Sequence, residues 1–144
     1  MSADSPTAST SARAQPESLR GRALSASLTV NDLQKSLTWY RDVVGFTVAQ
    51  NYEREGRLRA VSLKAGVVQV LLNQDDGSKG SDRVKGAGFS LRITTAQNID
   101  EIAGRIKARG GVLESEPADA FGMRAFRVRD PDGFMLVISS ERAE

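Results

Sequence analysis

From Ala23 to Val30 the chain alternates: Leu24, Ala26, Leu28 and Val30 fall on one side, Ser25, Ser27 and Thr29 on the other. Successive strand residues point to opposite faces, so this period of two predicts a half-buried strand with a hydroxyl-rich outer face. The period then changes. Leu33, Leu37, Tyr40 and Val44 recur at helical spacing, which predicts a helix with one buried stripe. Asn31 is the expected N-cap, with Gln34 completing a capping box, and Gly45 the left-handed stop. Phe46–Ala49, Arg57–Lys64 and Val67–Asn73 read as three further strands, the first two joined through the turn Glu53-Arg54-Glu55-Gly56.

Residues 74–86 are polar, glycine-rich and aperiodic, as a linker is. Beyond them the same order returns. Phe89–Thr94 alternates, then Ile99, Ile102, Ala103 and Ile106 mark a second helix, with Asn98 as N-cap and Glu101 three residues on. Lys107 and Arg109 fall in its last turn, where positive charge suits the helix dipole, and Gly110-Gly111 ends it. Val112–Glu116, Met123–Arg129 and Phe134–Ser139 complete the strands, with Asp130-Pro131-Asp132-Gly133 as a strong turn before the last. Strand, helix, three strands, twice over, predicts an α+β domain of two βαβββ modules. Aligning Ser25 with Gly88 sets the copies about 63 residues apart. The expected layout is a tail over 1–21 and one domain over 22–142. Within it, module one spans about 23–73, the linker 74–86 and module two about 87–140.

Composition narrows the chemistry. A chain of 144 residues, 40% hydrophobic and 26% charged, fits one ordinary globular domain. Its first 21 residues are rich in Ser, Ala and Thr, hold two of the four prolines and show no period, so a disordered tail is expected. The net charge of +2 is scattered, with no basic stripe and interleaved aromatics, so no nucleic-acid partner is expected. That charge also argues mildly against a strongly cationic ligand. The longest apolar runs, such as Val67 to Leu72 broken by Gln69, are far shorter than a membrane span. With no secretory pattern in the N-terminal residues, no membrane partner and a cytoplasmic location are expected. There is no cysteine and no histidine. Disulfides, thiolate metal sites, the usual proton shuttle near neutral pH and the Ser-His-Asp and Cys-His nucleophiles are thereby excluded. Any chemistry would rest on carboxylates, Lys, Tyr, backbone groups or a borrowed cofactor.

Four segments carry a family resemblance: Leu28–Leu33, Ser36–Phe46, Arg105–Gly111 and Gly122–Gly133. Together, the helix-to-strand WYRDVVGF and the RDPDGF turn resemble the vicinal oxygen chelate superfamily. It includes glyoxalases, extradiol dioxygenases and bleomycin- or fosfomycin-resistance proteins. The resemblance spans roughly Ala23 to Ser140. It implies that each module's strands curl into a half-open cup, a cupped half-barrel sheet, and that two cups from one chain or from a homodimer enclose a cavity. In metal-using relatives, ligands project from the first strand of each module and from the last strand, typically His, His or Gln, and Glu. The aligned positions here are Ser25, Gly88 and Val137. A serine is a poor ligand, glycine has no side chain and valine cannot coordinate, so no metal ligand, catalytic residue or cofactor is carried over.

The candidates that remain are binding residues. Ser25, Ser27 and Thr29 in module one and Ser90 and Arg92 in module two take the cup-facing parity. Small residues there leave a roomy cavity, or simply allow close strand packing. Arg92 offers a fork to a carboxylate or phosphate, or pairs with a carboxylate of the protein itself. Arg124 shares parity with Phe126 and Val128, which favours structural pairing over a place at the cavity mouth. The amide of Gln69 could orient a ligand or mark an edge position. Trp39 could stack on a planar ligand, though packing under a strand or at a dimer contact is the commoner role. The runs Asp75-Asp76-Gly77 and Gly77-Ser78-Lys79-Gly80 lack the spacing of calcium or phosphate loops, leaving a solvated linker that could lid the cavity. The reading is of a metal-independent small-molecule-binding protein that sequesters a neutral or anionic compound, with enzyme activity left open. Two alternatives stand beside it. One is a metal-dependent lyase, isomerase or dioxygenase with atypical ligands, the other a dimeric interaction module with a vestigial cavity.

Overall fold

The computed structural model describes residues 18–80 and 82–142. Most of the tail expected over 1–21 lies outside the described residues. Module one comprises β1 (Ala26–Val30), α1 (Leu33–Thr38), β2 (Thr47–Arg54), β3 (Arg57–Ala65) and β4 (Val68–Gln74). Module two repeats the series as β5 (Ser90–Thr95), α2 (Ile99–Ala108), β6 (Leu113–Ala120), β7 (Met123–Arg129) and β8 (Met135–Ser140). From Trp39 to Val44, α1 continues as a π-helix that ends when Gly45 donates its N–H to the Tyr40 carbonyl. Gly45 has φ of +110°, the left-handed conformation that costs a glycine least. None of the helices described is long and apolar enough to cross a membrane.

The sheets share one topology. Their orders are β1-β4-β3-β2 and β5-β8-β7-β6, with the first strand of each module parallel to the last and the other pairs antiparallel. The chain is thus α+β, two βαβββ modules with open four-stranded sheets and no closed barrel. Leu33, Leu37 and Tyr40 of the first helix and Ile99, Ile102, Ala103 and Ile106 of the second are buried, as their spacing predicts. They meet Leu28, Val30, Val61, Leu63, Val70 and Leu72 of one sheet and Phe126, Val128, Leu136 and Ile138 of the other in a single cluster. Each such side chain contributes roughly 1.5–3 kcal/mol on leaving water. The helix-bearing faces are therefore turned inward against one another, and the opposite face of each sheet is left open.

Polar ties lock the modules in this relation. Asp132, in the Asp130–Gly133 turn of module two, accepts from the Asn31 backbone N–H at 3.0 Å and from Ser36 Oγ at 3.2 Å. Asn31 is not the N-cap, because its side-chain oxygen accepts instead from Lys85 Nζ at 2.8 Å. Asp32 takes that position and accepts from the Lys35 N–H at 3.2 Å. Below it, the buried Tyr40 hydroxyl donates to Asp130 Oδ2 at 2.8 Å, and the Phe134 and Asp132 N–H groups donate to Asp130 Oδ1, each at 2.9 Å. Asn98 does cap α2, accepting from the Glu101 N–H at 3.0 Å.

Several boundaries differ from those the pattern predicts. β1 begins at Ala26, because Leu24 is 96% exposed with no part of the core above it. β2 runs to Arg54 although all its residues are exposed; pairing with β3 sustains it, so no buried stripe marks it. β6 extends to Ala120 through Pro117, which sits in a register shift between Ser115 and Ala118 where a missing N–H costs no regular pair. Gln74, expected in the linker, closes β4. The rest of the connection is fastened rather than freely solvated. The Lys85 side chain is 4% exposed and donates to Asp75 Oδ2 at 2.7 Å and Asn31 Oδ1 at 2.8 Å.

Candidate functional site

Because Leu28 and Val30 face the helices, Ser27 and Thr29 face outward on the open side of the first sheet. The register carries this face across to Leu71 and Asn73 of β4, Ser62 and Ala60 of β3, and Gln50 and Tyr52 of β2. Gln69 and Lys64 form the next row. Ser25 lies one residue before β1, beside that row, and is exposed. Asn73 Nδ2 donates to Ser27 Oγ at 2.9 Å, so both are partly engaged with the sheet itself.

The open face of the second sheet is more strongly charged. Arg92 of β5 is paired across to Val137 of β8, and Val137 to Arg127 of β7, giving an Arg–Val–Arg row over a buried valine. Ser90, Met135 and Arg129 form the neighbouring row. Arg92 lies along the sheet: its Nη2 donates to Ser139 Oγ at 3.4 Å and reaches Met123 Sδ at 3.5 Å. Among the described residues no carboxylate lies within ion-pairing distance of Arg92 or Arg127. Arg129, by contrast, donates to Glu114 Oε1 at 3.2 Å and to the Gly133 carbonyl at 2.9 Å. Arg127 did not emerge from the sequence. The parity that sets Arg124 with Phe126 and Val128 also sets Arg127 on the opposite, open face, and would have found it.

Two candidates are placed elsewhere. Trp39 packs edge-on against Tyr40 with ring centroids 4.9 Å apart, on the helix and against the core. Arg124 donates from Nε and Nη2 to the two Asp100 oxygens at 2.8 and 2.9 Å, and from Nη1 to Asp119 Oδ1 at 3.1 Å. These carboxylates raise the guanidinium above its already high value, and Arg124 in turn holds the Asp100 carboxyl below the usual range. The structure thus sets Ser27 and Gln69 on one open face and Ser90 and Arg92 on the other, with Ser25 at the rim of the first. Trp39 and Arg124 belong to the packing of the helices.

The donor set does not suit a divalent metal. Ser25 offers a hydroxyl, while Gly88, two residues before β5, and Val137 offer nothing. The module-one counterpart of Val137, by the matching registers Thr29–Asn73 and Arg92–Val137, is an amide. Among the described residues no three His, Cys, Asp or Glu side chains converge. Two guanidiniums flanking Val137 repel a cation further.

Two βαβββ modules with open mixed sheets define a glyoxalase-like α+β fold. The chain belongs to the Glyoxalase/Bleomycin resistance protein/Dioxygenase superfamily, whose family model matches residues 22–138. It is similar to a Vibrio cholerae protein described as "Probable lactoylglutathione lyase", with 28% identity over 129 residues covering 80% of this chain and 87% of the relative. Among solved structures it is similar to a member of the same superfamily from Sphaerobacter thermophilus, at TM-score 0.69 and 25% identity, covering 85% of this chain and 98% of that one. TnmS3, described as an antibiotic binding protein from Streptomyces sp. CB03234, matches at TM-score 0.67 and 18% identity, covering 84% and 96% of the two chains.

Proposed function

We propose that the protein binds and sequesters a neutral or anionic small molecule on its open sheet faces, without a metal. The observation that carries this reading is the Arg92–Val137–Arg127 row, two uncompensated guanidiniums flanking an apolar strip. Such a surface suits a planar or apolar compound bearing a carboxylate or phosphate, which an arginine fork can hold in two parallel hydrogen bonds. Ser90, and Ser27 with Gln69 on the other face, would add polar contacts, with Ser25 at the rim. The fold's likeness to an antibiotic-binding protein supports a binding role, and the donor set described above supports metal independence. Each cup has only four strands, with β1 and β5 as edge strands. A homodimer that sets one cup against another would enclose the ligand, and the cytoplasm is the compartment this reading assumes.

The test joins metal analysis of natively purified protein with thermal-shift screening against metabolites and antibiotics. Transition metal well below one ion per chain is expected, as is stabilisation by an anionic compound that the double variant R92Q/R127Q loses. A ligand at one hundred times its Kd adds about 2.7 kcal/mol, a shift readily seen. Stoichiometric Mn, Fe, Ni or Zn would restore the alternative that the Vibrio cholerae likeness favours, a metal-dependent lyase. Ligands that stabilise both forms equally would remove the arginine row from the site.

A further inference from the structure

A second concavity lies on the helix side of the sheets, away from both cup faces. It holds about 590 Å³ and opens between α2, the end of α1, the β3–β4 turn and the segment leaving β5. This volume falls within the range of small-molecule sites. None of the candidate binding residues named from the sequence lines it. Its walls are apolar where Phe46, Val68, Ile93, Ile102 and Ile138 meet, and the Thr95 and Gln97 side chains lie at its polar side.

Arg105 of α2 and Arg109, the residue that caps its C-terminus, border these walls four residues apart. Both are exposed, and like charges at that spacing disfavour a helix by a few tenths of a kcal/mol. Among the described residues, neither arginine has a carboxylate within ion-pairing distance. Arg109 Nη1 lies beside Gly45, 3.8 Å from where a side chain would begin there. The nearby Asp42 feels the charge of Arg109 but is bonded to Arg41 at 2.8 Å. Helix-dipole complementarity explains a cation at the end of α2, and Lys107, paired with Glu116 at 2.9 Å, already supplies one there. It does not explain why both arginines border the same apolar cleft.

We infer that this cleft is a second binding site, for an organic monoanion with a flat apolar body. Arg105 and Arg109 hold its carboxylate, and its body lies against Phe46, Val68, Ile93 and Ile138. The site is independent of the cup faces, and its test keeps the two apart. Isothermal titration of the full chain with 2-naphthoate, and separately with the uncharged 2-naphthamide, reads the charge requirement. Naphthoate is expected to bind about tenfold or more tightly than the amide. The cleft's share of that preference is read from the Ile93, Ile102 and Ile138 methyl resonances in NMR spectra. R105Q/R109Q is expected to abolish their shift on naphthoate, R105K/R109K to retain part of it, and the cup variant R92Q/R127Q to leave it unchanged. Equal affinity for acid and amide would overturn the inference. So would loss of binding in R92Q/R127Q instead of R105Q/R109Q, or no binding of naphthoate at millimolar concentration.

Discussion

Removing one oxygen tests whether the tie between the modules is as strong as its geometry implies. Tyr40 is 0% exposed and its hydroxyl donates at 2.8 Å to Asp130, itself 5% exposed. Tyr40→Phe keeps the ring, which packs edge-on against Trp39 and Phe46, and removes only the donor. A hydrogen bond to a charged group is worth about 1.5–3 kcal/mol, and no water can reach this position to replace it. The two backbone donors to Asp130 remain, which sets the expectation near 2 kcal/mol rather than at the upper end. In a domain of this size that is a fall in Tm of roughly 6–12 °C. Urea unfolding followed by the single tryptophan, Trp39, and by far-UV circular dichroism measures it directly. The cost carries a pH signature. Burial pushes the Asp130 carboxyl above the usual range, against the pull of the Tyr40 and backbone hydrogen bonds. A folded value above the unfolded one means that the native state holds the proton more tightly. This group's contribution is therefore fully present in acid and declines as pH rises through the folded value. The Tyr40 bond favours the carboxylate form, so Tyr40→Phe should cost more at neutral pH than in acid. A loss below about 0.5 kcal/mol, or the same loss at both pH values, would refute the account.

Other positions test the same packing. Gly111→Ala places a methyl 2.5 Å from Ile106 Cγ2, 2.9 Å from Val43 Cγ1 and 3.0 Å from the Ile106 carbonyl. Overpacking on that scale costs about 1–3 kcal/mol, read as a lower urea midpoint with an unchanged slope. Asp132→Ala leaves the Asn31 N–H and Ser36 hydroxyl without their partner and should cost about 1–2 kcal/mol by the same assay, with Asp132→Asn recovering part of it. Gly86 has φ of +77°, and a side chain there would begin 2.8 Å from the Gly133 carbonyl oxygen. Gly86→Ala should therefore lower Tm, whereas a substitution at the exposed Ser78 should leave it unchanged.

The repeat was legible in the sequence because burial imprints a period. Both helical stripes and the alternation of β1 and β5 face one core, and that core selects apolar side chains at each inward position. β2 was cut short because neither of its faces is buried, so nothing in its side chains records the pairing with β3 that holds it. The cap of α1 is hidden for a different reason. Asn31 and Asp32 are both good caps by type, and what separates them is Lys85, distant in sequence, which claims the Asn31 side-chain oxygen. In the site, parity sets Ser27, Ser90 and Arg92 on the open faces, and the same rule places Arg127 there, opposite in parity to Arg124, which packs toward α2. The cleft under Arg105 and Arg109 left no mark of its own. Its walls come from both modules, and no local pattern reports that two elements stop short of touching.

The direction in which the cups face follows from where the turn Asp130–Gly133 is bonded. Had the two sheets met edge to edge within the chain, β1 and β5 would be partners and the sheets would form one continuous cup. Instead the turn between β7 and β8 seats Asp132 on the start of α1 and Asp130 under Tyr40. It thereby holds helix against helix, with α2 packing on the π-helical end of α1. This arrangement turns the apolar faces to the interior and leaves the opposite face of each sheet, with the edge strands β1, β2, β5 and β6, outward. A ligand held on Arg92 and Arg127 would then remain solvated on one side until a further surface covers it. If the proposed homodimer supplies that surface, affinity for an anionic guest should rise with protein concentration in step with dimer formation, as sedimentation and titration on the same samples would show. Affinity that stays constant while sedimentation reports dimer formation, or a chain that stays monomeric yet binds, would mean that a single open sheet is the whole binding surface.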